Sequence, residues 1–181
     1  MSTVAPRSAD QAGSPAPGDP PATACLSLRE LGAWRGLLRA HAHLVKALDS
    51  ELEQAHGLPL TSYEVLLYLD AADDGRMRMC DLASCVLLSR SGLTRLIDRL
   101  EREGFVARHS CEQDARGAYA RLTDDGHLKL ASVRPTHLDG VRRHFLRHFD
   151  EGELDLLAGY WERVSPGAAA PGSDCRGAGS G

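Results

Sequence analysis

Hydrophobic positions between residues 27 and 164 recur mostly at helical spacing, in long runs broken by one short stretch that alternates. The first run predicts a helix from about Ser27 to His56. Leu31, Trp34, Leu38, His41, Val45, Leu48, Leu52 and Ala55 are separated by alternating steps of three and four, a heptad-like seam. Ser27 followed by Glu30 has the form of a capping box, and Gly57 ends the run. One small domain does not cover a helix of this length, so the seam is expected to pack partly against a second subunit.

The second run starts after Leu60, with Thr61 as expected N-cap, Glu64 at the third helical position, and Val65, Leu66, Leu69 and Ala72 on one face. Asp73, Asp74 and Gly75 spell a turn, and Arg76 to Arg78 a short strand. A short helix over Asp81 to Val86 is followed by a longer one, capped by Ser89 or Ser91. The longer helix buries Leu93, Leu96, Ile97 and Leu100 and closes at Gly104. Phe105 to His109 and Tyr119 to Leu122 alternate as two strands around a polar tip holding Asp114 and Arg116. Thr123 caps another long helix with Leu130, Val133, Leu138, Val141, Phe145 and Phe149 inward, and Pro135 should bend it. Asp150 with Glu153 opens a last helix whose Leu154, Leu157 and Trp161 are expected to be buried. Two helices joined by a tight turn, then a two-stranded flap carrying an arginine, predict a winged helix-turn-helix. The fold class is mainly α with a small β-wing, and the chemistry is DNA binding.

Residues 1–25 and 166–181 are rich in Pro, Ala, Ser and Gly and are expected to be disordered tails around a folded part at 26–165. Within it, 58–123 holds the winged helix-turn-helix, and 26–57 and 124–165 hold the dimerisation helices. The net charge of −4 runs against the basic balance of most nucleic-acid binders, so the argument moves to local charge. Arg90, Arg95 and Arg99 supply that charge on one predicted helix. No run reaches the roughly 20 apolar residues of a membrane span, and the N-terminus has no apolar signal region. The five cysteines lack paired spacing and are read as reduced thiols in a cytoplasm.

With its elements in this order, the chain resembles the MarR family of transcription regulators over roughly 27–164. The strongest strings are LSRSGLTRLIDRLE at 88–101, GFV at 104–106, DAR at 114–116 and RLT at 121–123. The resemblance implies an obligate homodimer with interlocked first and last helices, reading a near-palindrome whose half-sites lie about 34 Å apart. It implies base contacts from Ser89, Arg90, Ser91, Thr94 and Arg95. Arg99, further along, would meet a phosphate or a nearby carboxylate. The Asp-x-Arg of the wing implies that Arg116 enters the minor groove with Asp114 as its brace. Many relatives carry a second arginine next, where this chain has Gly117. The double-stranded DNA partner is joined, in the same reading, by a small aromatic effector that releases a repressor from its operator.

Trp34, Arg35, Arg39, His41 and His43 on the first helix, with Tyr63 and Glu64 opposite, are the candidate effector residues. A redox-responsive alternative uses a cysteine, with Cys111 beside Arg108 and His109 as the best candidate. A metal-responsive alternative uses His144 and His148 at i, i+4, with His137 one heptad earlier, although no Glu or Cys completes a ligand set. No cofactor is expected. No phosphate loop, dinucleotide fingerprint, zinc-protease motif or nucleophile elbow is present, so an enzyme is excluded. A dimeric interaction module without DNA binding is the remaining competitor, favoured by the negative net charge.

Overall fold

The capping box at the start of the chain's first helix forms as its sequence predicts. The Glu30 amide donates to Ser27 Oγ at 3.3 Å, and the Ser27 amide to Glu30 Oε2 at 2.7 Å. The helix it opens, α1, spans Leu28–His56 and stops at Gly57, whose φ of 62° suits a residue without a Cβ. The computed structural model describes residues 25–72, 75–111 and 114–166, without the side chains of 110–117. The expected tails (apart from Cys25 and Pro166) and the Asp73–Asp74 turn lie outside these residues. The chain divides into two compact units, Met1–Arg39 and Ala40–Gly181, with the boundary inside α1.

In the second unit, α2 (Leu60–Asp70) begins one residue before the expected Thr61 cap. Pro59 precedes it and supplies no side-chain cap. Instead Asp49 of α1 accepts from the Leu60 amide at 2.8 Å, so a carboxylate from another helix does the capping. Strand β1 (Arg76–Arg78) leads into α3 (Met79–Cys85), which starts two residues earlier than its apolar pattern indicates. Then come α4 (Arg90–Arg102), β2 (Val106–Cys111), β3 (Asp114–Leu122) and α5 (Asp124–His144). The sheet is antiparallel in the order β1-β3-β2. Helix α5 continues through Pro135 but ends at His144, short of the expected Phe149; a 3-10 turn at Leu146–His148 follows, then α6 (Glu151–Val164). The Asp150–Glu153 capping box closes reciprocally at 3.0 and 2.9 Å.

The core lies beneath the winged unit. Leu52, Leu58, Tyr63, Val65, Leu66 and Leu69 meet Leu82, Leu93, Ile97, Leu100, Val106, Ala120, Leu130 and Val133. On α4, Leu93, Ile97 and Leu100 at i, i+4 and i+7 set one face inward, so its rotation is fixed by packing. The knot at Thr123 fixes the root of the wing. Thr123 Oγ1 donates to the Gly104 carbonyl at 2.6 Å and accepts from the Gly126 amide at 3.0 Å. The Thr123 amide donates to the Phe105 carbonyl at 3.1 Å.

Two apolar faces stay largely open: that of α1, as expected of a helix that one small domain does not cover, and that of α6, whose pattern predicts burial within the chain. Only Leu52 of α1 is buried, while Trp34, Leu38 and Val45 are 52%, 49% and 41% exposed. Helix α6 has no buried residue, and Leu154, Leu157 and Trp161 are only partly covered. The pattern of these faces is apolar, but among the described residues the chain covers them only in part.

Candidate nucleic-acid interface

The exposed half of α4 follows from what its buried half does. Ser89 caps the helix, with Oγ accepting from the Gly92 amide at 3.1 Å. The inward stripe leaves Arg90, Ser91, Thr94 and Arg95 in solvent at the helix start. Neither the Arg90 nor the Arg95 side chain has an ion-pair or hydrogen-bond partner among the described residues. Thr94 Oγ1 donates back to the Arg90 carbonyl at 2.9 Å, which leaves its oxygen available as an acceptor.

Arg99 points elsewhere. Its guanidinium donates to the hydroxyl of Ser62, the single polar residue among the buried side chains described, and lies 3.9 Å from Glu103. The atom facing Glu103 is its Nε, which is buried and has no hydrogen-bond partner among the described residues. The neighbouring carboxylate expected for Arg99 is Glu103, and the bond to Ser62 ties α4 to α2.

Arg108 was not among the sequence candidates, yet it organises the interface. From β2 it reaches α4, with Nη1 on Glu101 Oε2 at 2.9 Å, Nη2 on Asp98 Oδ1, and Nη2 on the Thr94 carbonyl at 3.3 Å. Its amide also donates to Glu101 Oε1 at 3.2 Å. One cation thus fixes the wing strand to α4 and offsets two carboxylates of that helix. Among the charged residues of a strand, nothing in spacing marks this one; its position on the inward side of the sheet does.

Arg78 is a second addition. It lines a cleft of about 370 Å³ with Met79, Cys80, Arg90, Leu93, Thr94 and Ala118. Its Nε donates to Tyr119 Oη at 2.8 Å, and Arg76 and Arg78 lie 5.7 and 5.5 Å from the Tyr119 ring centre. The pairing of Arg76 with Arg121 and of Arg78 with Tyr119 puts these groups on the outer side of the sheet. The chain is acidic overall but basic here. The side chains of the wing tip, Asp114 and Arg116 among them, fall outside the described set.

The effector candidates separate into two places. Trp34 and Arg39 belong to the first unit, where Arg35 and Arg39 line a depression of about 320 Å³ with Leu28 and Leu31. In the second unit Tyr63 is buried, its ring 4.5 Å from that of His137. Burial raises the Tyr63 pKa, against the opposing charge and hydrogen bond of Arg134. Burial likewise raises the Glu64 pKa, with the His41 charge opposing it. His137 is pushed down by burial, and its Nδ1 is buried without a partner among the described residues. His43 stands edge-on to His144 at 6.4 Å, and His144 Nε2 pairs with Glu51 Oε1 at 2.7 Å.

The thiol and metal alternatives change. Cys25 and Cys80 are free and exposed, but Cys85 is disulfide-bonded, which overturns the expectation that all five thiols are reduced. Folding brings sulfurs together that sequence spacing keeps apart. The Cys111 side chain is outside the described set. His144 and His148 do not share a helical face, because α5 ends at His144. Among the described residues no group of three or more His, Cys, Asp or Glu is placed to hold a metal. Nor is any described helix long and apolar enough to cross a membrane.

Comparison with known proteins converges on one group. Residues 56–117 match the model of the MarR family. The chain is 36% identical over 112 residues to the HTH-type transcriptional regulator YkoM of Bacillus subtilis, covering 60% of this chain and 71% of that protein. It is 29% identical over 112 residues to the HTH-type transcriptional repressor YetL of the same organism, covering 60% and 67%. Among solved structures, AbsC of Streptomyces coelicolor, a MarR family transcriptional regulator, is 35% identical with a TM-score of 0.73, covering 78% of this chain and 95% of that one. Sco3205 of Streptomyces coelicolor, a MarR family regulator solved in complex with DNA, is 32% identical with a TM-score of 0.75, covering 80% and 91%.

Proposed function

The chain belongs to the MarR family of DNA-binding transcription regulators, and on that footing we propose that it is a homodimeric repressor of a near-palindromic operator, released by a small aromatic effector. The observation that carries DNA reading is the first turn and a half of α4. There two arginines whose side chains have no partner among the described residues stand exposed beside Ser91 and Thr94, and two of the helix's carboxylates are held by Arg108. Arg90 and Arg95 donate to guanine edges, while Ser89, Ser91 and Thr94 meet bases or phosphates. Arg116 enters the minor groove with Asp114 as its brace. Arg99 is assigned to holding α4 on α2 rather than to DNA, because Ser62 occupies its guanidinium.

Dimerisation is supported by the largely open apolar faces of α1 and α6, where Trp34, Leu38, Leu156 and Tyr160 are exposed. Repression follows the relative named as a repressor. His41, Tyr63 and Glu64 are the effector residues best supported, since the last two are covered ionisable groups on α2. A regulator of this kind works in the bacterial cytoplasm, where its DNA is.

The test is a salt titration against the duplex that the protein selects from a random pool. Wild-type affinity falls steeply with salt. Arg116→Ala lowers the slope by about 0.9 for each phosphate it no longer neutralises, and weakens binding to all sequences alike. Arg95→Ala relaxes preference at particular bases. Wild-type affinity and preference in both variants would refute the assignment.

A further inference from the structure

One residue of the helix-turn-helix is costly in two ways at once. Leu87, in the turn between α3 and α4, has a φ of 52°, the left-handed region that L side chains avoid. It is also 90% exposed. No other non-glycine residue in the described chain has a positive φ. The turns after α1, after α2 and after α4 use glycine for this conformation, at Gly57, Gly75 and Gly104. The neighbours of Leu87 show no reason for a large side chain there. Val86 is buried and Leu88 packs against the core, so the turn is anchored on both sides without Leu87. The backbone bonds of the turn, Leu87 amide to Ser84 carbonyl at 3.4 Å and Leu88 amide to Ala83 carbonyl at 3.0 Å, are open to glycine as well. In the isolated chain a glycine would serve better on both counts.

Past Leu88, which turns inward, the exposed side of this turn leads into the reading face of α4. Leu87, Ser89, Arg90 and Ser91 are all exposed, and Leu87 is three residues before Arg90. We propose that Leu87 is a specificity residue, whose branched end packs on the 5-methyl group of a thymine next to the base read by Arg90. Apolar contact with that methyl is one of the ways a major groove is read, and it distinguishes thymine where arginine cannot. The backbone strain then has a function: it holds a leucine outward where a relaxed turn would need glycine. The proposal rests on the operator-reading assignment above.

The test replaces each thymine of the selected duplex in turn by deoxyuridine, which lacks only the methyl, placed symmetrically in both half-sites. Wild type is expected to lose about fourfold in affinity per half-site at one thymine, the effect of one buried methyl, and about fifteenfold for both. Leu87→Gly is expected to bind the thymine and deoxyuridine duplexes alike, with an unchanged salt slope and a melting temperature no lower than wild type. A thymine scan that leaves wild-type affinity flat overturns the inference, as does a Leu87→Gly variant that still distinguishes the two duplexes. A wild-type chain that selects no duplex at all defeats the regulator assignment instead.

Discussion

Placing a methyl group on Gly126 should loosen the wing from its root. Gly126 lies in the first turn of α5, and its amide is held by Thr123 Oγ1 at 3.0 Å. A Cβ built there meets the Phe105 carbonyl carbon and Leu122 Cδ2 at 3.0 Å each, with the Phe105 oxygen nearer still. Carbon atoms in good contact sit about 3.5–4.0 Å apart, so the backbone must yield by roughly 0.5–1 Å. The obstacle is main chain at the start of β2, which cannot rotate away as a side chain would. Overpacking of this kind costs about 2–3 kcal/mol. For a chain of this size that lowers Tm by about 5–10 °C. The displaced segment also carries the Thr123–Gly104 bond, so α5, the wing and the end of α4 move apart together. Thermal unfolding followed by circular dichroism measures the loss, with Gly159→Ala as the opposite case. A methyl at 159 meets nothing within 4 Å in its own chain, and in a helix interior it adds about 0.5–1 kcal/mol. A Gly126→Ala protein melting within a degree of wild type would refute the packing argument.

Other substitutions separate positioning from contact. Arg108→Ala should weaken operator binding severalfold while leaving the salt slope unchanged, because Arg108 binds Asp98 and Glu101 rather than phosphate; a slope reduced by the share of a whole phosphate would contradict this. Arg99→Ala leaves the buried Ser62 hydroxyl without its partner and should cost about 1–2 kcal/mol in chemical denaturation, with sequence preference retained. The Glu103 pair, long at 3.9 Å and partly solvent-exposed, adds little to that figure. Glu64 has a folded pKa raised by burial above its ordinary 4.5, so the unfolded chain ionises first and stability is lost as pH rises through the folded value. Glu64→Gln should therefore match wild type in Tm below pH 4.5 and exceed it near neutrality. His137 has the opposite dependence: its folded pKa is depressed by burial, so its contribution is complete above about pH 6.5 and declines as pH falls below that.

Much of this could be read from residue order. The two capping boxes, the Thr123 cap and the glycines at 57, 75 and 104 are local chemistry, and each appears where its sequence signature stands. The apolar stripe of α4 determines which arginines face outward at its start. Local pattern was silent wherever a partner came from another element. Asp49 caps α2 from α1 in place of Thr61, Ser62 ties the Arg99 guanidinium to α2, and Arg108 reaches back from the wing. The Cys85 disulfide is of the same kind, since it depends on a sulfur brought close by folding. The strain at Leu87 is a different case. Side-chain type alone suggests burial there, and only the backbone angle and exposure together reveal a residue held outward.

The central claim is that two copies of α4 read a two-fold symmetric sequence. Selecting bound duplexes from a random pool with the full chain, then sequencing them, tests it most directly. The account predicts an enriched inverted repeat with half-site centres about 34 Å apart, one helical turn. A single unrepeated motif would contradict the dimeric reading, and a pool left without enrichment would contradict sequence-specific binding itself.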